Sequence, residues 1–64
     1  MKNEKTNTIR VAQEIRKACI EAAREGFRDA SMSGLCTEGA MEAAIGAMQS
    51  LDLESIITKE TPQE

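Results

Sequence analysis

The sequence predicts an all-α fold: an antiparallel helical hairpin plus a short C-terminal helix, dimerising into a four-helix bundle. Three observations lead there. Apolar residues recur at steps of three and four from Thr8 to about Met32, with no proline and no strand-like alternation. A Ser-Met-Ser-Gly-Leu-Cys break at 31–36 interrupts the pattern, which then resumes at once. Finally, the chain is 64 residues long with a single aromatic residue, Phe27, and so has little with which to fill a core.

The first helix is expected over Thr8–Met32, with Thr6 or Asn7 as its N-cap. Ala12, Ile15, Cys19, Ala22 and Gly26 step by 3, 4, 3 and 4, a heptad seam. Val11, Ala18 and Ala30 flank it on one side, while Ile20, Ala23 and Phe27 widen it on the other. A stripe that broad serves at least two neighbours. The opposite face carries Arg10, Glu14, Lys17, Glu21, Arg24, Glu25 and Arg28, alternating in sign at helical spacing, as a solvated ion-pair row does.

The break should end that helix with Gly34 in the left-handed conformation and Leu35 as the apolar residue after it. Thr37 is then the next N-cap, with Cys36 and Met41 as the hydrophobic pair around it. A link of about four residues makes the two helices antiparallel neighbours. The second helix is expected from Glu38 to Ser50, with an apolar stripe of Met41, Ala44 or Ile45, Met48 and Leu51. Gly39, Ala43, Gly46 and Ala47 make the adjoining surface flat. Asp52 can cap a short third helix, with Leu51 and Ile56 as its hydrophobic staple and Leu53, Ile56 and Ile57 as its apolar side, and Thr61-Pro62 ends it. The chain thus divides into a disordered arm (1–7), a hairpin domain (8–60) and a polar tail (61–64). The core and dimer seam is expected from Ala12, Ile15, Cys19, Ala22, Gly26, Phe27, Met41, Ile45, Met48 and Leu51.

Charge bears on partners. Residues 1–28 hold seven basic and four acidic side chains, whereas residues 29–64 hold one basic and seven acidic, for a total of −3. That sum disfavours nucleic acid and anionic membranes, and the split favours helices lying side by side. No run approaches the ~18 apolar residues of a membrane span. Met1–Thr8 lacks the apolar core of a signal peptide, so a cytoplasmic location with reduced thiols is expected.

Catalytic chemistry finds little to work with. Histidine is absent, which removes the commonest general base and the nucleophile–histidine pair. Two cysteines without a Cys-x-x-Cys spacing do not make a metal site, and about thirteen residues of helix, ~20 Å, keep Cys19 too far from Cys36 for a disulfide. Gly34–Gly39 lacks the lysine and the preceding strand of a phosphate loop. Glu38 and Glu42 share a helix face with nothing to separate their pKa values. No catalytic, cofactor-binding or metal residue is expected, no cofactor is implied, and the chain reads as no enzyme.

The stretches Ile9-Arg10, Ala18-Cys19-Ile20-Glu21-Ala22-Ala23, Gly34-Leu35-Cys36-Thr37-Glu38-Gly39-Ala40 and Leu51-Asp52-Leu53 resemble a family of short, uncharacterised bacterial helical proteins, some of them labelled acetyltransferase. The resemblance covers residues 9–53. It implies a helical chain and, through that label, an accessory fragment related to an acetyltransferase, with no site residue carried over. The leading expectation is a cytoplasmic protein–protein interaction or regulatory module working as a homodimer, with a possible protein partner. The alternatives are a small DNA-binding regulator or antitoxin-like dimer using the basic row, and the acetyltransferase-related fragment.

Overall fold

The computed structural model describes residues 4–60, and the side chains of residues 7–59. Helix α1 spans Glu4–Met32, α2 Thr37–Gln49 and α3 Leu53–Glu60, and no strand occurs among the described residues. Helix α1 starts before Thr8 because no glycine or proline interrupts residues 4–8. Thr6 and Asn7 therefore lie inside it rather than capping it, and the expected arm is helical from Glu4. Residues 1–3 lie outside the described residues, as do the polar tail 61–64 and its Thr61-Pro62 stop.

The end of α1 forms as its residues dictate. Gly34 has φ 99°, which an L side chain adopts at a cost. Its N–H donates to the Ser31 carbonyl and that of Leu35 to the Ala30 carbonyl, both at 3.0 Å, the two bonds of a Schellman motif. Helix α2 begins one residue earlier than its sequence suggests. Cys36 is the N-cap, extended at φ −74°, ψ 172°, and its carbonyl accepts the Ala40 N–H at 2.8 Å. Thr37 is thus the first helical residue. The apolar contact at this end is also displaced: Leu35 packs on Gly39, where an added Cβ would lie 3.1 Å from Leu35 Cδ2. Met41 is exposed.

Asp52 caps α3 as expected. Its Oδ1 accepts the Ser55 N–H at 3.2 Å, and its Oδ2 accepts the Ser55 hydroxyl at 2.8 Å. These bonds hold the Asp52 carboxyl below its usual pKa, the Ser55 hydroxyl first and the Ser55 amide second.

The four-residue turn folds α2 back along α1, and α3 also packs on α1. The α1–α2 contact is made by the smallest side chains. A Cβ on Gly26 would sit 2.9 Å from the Ala43 carbonyl oxygen, 3.0 Å from Ala47 Cβ and 3.2 Å from Ala44 Cα. Ala30, Ala40 and Ala44 are the buried apolar residues of the described chain. It is therefore the alanine side of α2 that faces α1. Close approach lets backbone atoms touch, which a row of methionine and isoleucine would prevent.

The hairpin is long and one layer thick. Its extents are 51 × 17 × 13 Å and its radius of gyration is 15.0 Å, against about 11 Å for a globule of this length. The accessible surface is 5068 Å², where a folded monomer of this mass exposes about 4,000 Å².

Candidate interaction surface

The expected seam divides in two in the structure. Ile15, Cys19, Ala22, Gly26, Met48 and Leu51 are half-buried within the chain. Ala12, Phe27, Met41 and Ile45 are exposed, so these four lie outside the intrachain seam. Their exposure has a common cause, which is where each sits around its helix.

Successive residues of an α-helix turn by about 100°. Taking Gly26 as the direction from α1 to α2, Ile9, Ile20 and Phe27 lie about 100–120° further round in the sense of chain advance. On α2, Met41 and Ile45 lie about 80–120° round from the buried Ala40–Ala44 side in that same sense. On α3, Leu53 and Ile57 lie about 60–100° round from half-buried Ile56. Helices α1 and α2 are antiparallel and face each other, so equal rotations bring their side chains out on one side of the layer. The α3 residues, on the continuation of the returning arm, emerge there too.

Seven large apolar residues thus share one face: Ile9, Ile20, Phe27, Met41, Ile45, Leu53 and Ile57, each between 36% and 54% exposed. The opposite side of the layer carries Val11, Glu14, Ala18, Glu25 and Asp29 from α1, with Ala43 and Gly46 from α2 and Ser50 at its C-cap. It is small and polar by comparison. Large apolar side chains gathered on one face and flanked by charge are what contact surfaces carry.

Helix α1 shows the same division in its spacing. Beside the first seam runs a second, Ile9, Gln13, Arg16, Ile20, Ala23 and Phe27, stepping by 4, 3, 4, 3 and 4. The first seam meets α2 and α3 within the chain. Among the described residues the second has no partner helix, since α2 and α3 pack on the first. Gln13 and Arg16 interrupt its apolar run, so the sequence shows Ile20, Ala23 and Phe27 only as a widening of the first seam. The signal that would have revealed it is the repeated 4–3 spacing itself.

No family model, curated protein or solved structure matches the chain.

A hollow at the turn end borders the apolar face. Cys36, Glu38, Gly39, Met41, Glu42 and Ile45 line it, and it is open to solvent. The Cys36 thiol is held below its usual pKa by the amides at the start of α2, that of Gly39 first and that of Glu38 second. It makes no capping hydrogen bond, so the effect is attraction of the thiolate to the N–H dipoles. Cys19 and Cys36 are both free thiols. Among the described residues no three His, Cys, Asp or Glu side chains come together as a metal ion needs, and no helix is long and apolar enough to cross a membrane.

Proposed function

We propose that this chain is a small, non-catalytic protein–protein interaction module that works as a homodimer, with two hairpins closing a four-helix bundle over their apolar faces. The observation that carries this reading is the single face bearing seven large, half-exposed apolar side chains. Three buried alanines are too small a core to hold a hairpin of this length. The chain exposes about 1,000 Å² more than a folded monomer of its mass, and a stable interface covers about 800 Å² on each partner. A second hairpin therefore has the right area to cover. A reducing cytoplasm suits such a module, because both thiols are free and no disulfide contributes to its stability.

Light scattering on face variants tests the reading. The parent chain should have about twice its mass of 7.0 kDa. Ile20→Glu and Ile45→Glu should each reduce it to the single-chain mass, because each buries an unpaired charge in the interface. Glu25→Ala, on the opposite side of the layer, should leave it unchanged. A parent monomer at every concentration, or glutamate variants that keep the parent mass, would overturn the reading.

A further inference from the structure

We infer that the two copies stack with both turns at the same end, so that α1 of each lies over α2 and α3 of the other, and that charge selects this arrangement. The inference rests on the apolar face being the dimer contact. Two hairpins stacked face to face by a two-fold axis have two choices. An axis parallel to the helices places α1 over the partner's α2 and α3, with all neighbours antiparallel. An axis across the helices places α1 over the partner's α1 and puts the turns at opposite ends.

Levels along the bundle follow from the packed contact, in which Gly26 meets Ala43, Ala44 and Ala47. Arg28 is then level with Glu42, and Arg24 lies within a turn of it. Further along α1 from the turn, Arg16 and Lys17 come towards the stretch on which α3 packs, and the first turn of α3 carries Glu54. All of these side chains are exposed, and those on α1 lie on or beside the second seam and its outer edge. With the turns together, Arg24 and Arg28 lie beside the partner's Glu42, with the partner's Glu38 one turn further on. Arg16 and Lys17 then lie towards the partner's α3, whose first turn carries Glu54. With the turns apart, the α1 edge that carries Arg16, Lys17, Arg24 and Arg28 faces the same edge of the partner, and the acidic α2–α3 arm faces another acidic arm. Like charges in contact disfavour that packing. The apolar residues fit the first arrangement as well. Phe27 comes level with the partner's Met41 and Ile45, and Ile20 with the partner's Met48.

Spin labels on Cys36 distinguish the two, since Cys36 is exposed at the turn. In the full chain with Cys19→Ala, the turns-together dimer places the two Cys36 residues across a bundle of ~10 Å helix spacing, giving a label separation below about 30 Å. The turns-apart dimer separates them by roughly the length of α1, about 40 Å. A short distance supports the arrangement. A long one in a sample of dimer mass overturns it and leaves the proposed contact face standing. No dipolar coupling in a sample of monomer mass overturns both. Glu42→Lys provides a second readout that needs no label. It should weaken the dimer about two- to five-fold, with Arg28→Glu in the same chain restoring affinity. A Glu42→Lys dimer that is tighter than the parent would overturn the arrangement.

Discussion

Gly26 and Gly46 make the same substitution a test with opposite signs. Replacing a mid-helix glycine by alanine stabilises a helix by about 1 kcal/mol when nothing else changes. At Gly46 nothing lies within 4 Å of the added methyl group, so Gly46→Ala should keep most of that gain. At Gly26 the methyl group would meet the Ala43 carbonyl oxygen at 2.9 Å and Ala44 Cα at 3.2 Å. Ordinary carbon contacts are about 3.5–4.0 Å, so the shortfall is several tenths of an ångström. Both atoms belong to backbone, so relief requires α1 and α2 to move apart along the whole seam. Overpacking of this kind costs about 1–3 kcal/mol, which offsets or exceeds the helical gain. Gly26→Ala should thus lose up to about 2 kcal/mol net, once that gain is subtracted. The assay is thermal melting by circular dichroism at one fixed protein concentration. Domains of this size shift by about 4–8 °C per kcal/mol, so Gly26→Ala should melt several degrees below the parent and Gly46→Ala several degrees above it. A Gly26→Ala protein as stable as Gly46→Ala would refute the close α1–α2 contact.

Further outcomes follow from the caps and the thiol. Gly34→Ala forces an L side chain to φ 99° and should cost about 1–2 kcal/mol, read as a lower melting temperature. Because the Asp52 carboxyl is held below its usual pKa, its capping contribution is complete above the unfolded value of about 3.9 and is lost as pH falls through the lower folded value. The Ser55 amide proton shift should follow that titration with a midpoint below 3.9. A midpoint at or above it would contradict the cap. Cys36 should be alkylated by iodoacetamide with a pH midpoint below the ordinary thiol value, and faster than half-buried Cys19 at neutral pH. Equal rates would show that the helix start does not activate it.

How much of this was legible in the sequence depended on whether the signal was local. The Gly34-Leu35 cap and the Asp52 cap need only neighbouring residues, and both form where the sequence puts them. The α2 cap was misplaced by one residue, because Thr37 is a good capping type while Cys36 is the residue the Leu35–Gly39 contact leaves in extended conformation. The larger gap concerns α2, where the sequence placed Met41 and Ile45 in a joint core and dimer seam without separating the residues that meet α1 from those left outside. Both sides of that helix are apolar, and hydrophobic pattern does not decide between them. Size does: Gly26 accepts an alanine face at a distance where larger side chains do not fit. Once the alanines are turned inward, Met41 and Ile45 are left on the same side as Phe27 and Ile20. That face depends on the handedness of two packed helices, which no single-helix pattern contains.

Phe27 offers the most direct test that this face is covered by a second copy, since its ring is the chain's single aromatic group and every aromatic signal belongs to it. An isotope-filtered nuclear Overhauser experiment on a mixture of labelled and unlabelled chains detects contacts between copies only. Cross-peaks are expected from the Phe27 ring of one chain to the methyl groups of Met41 and Ile45 of the other. A mixed sample with no Phe27 contact between chains, at concentrations where each chain is folded, would contradict it.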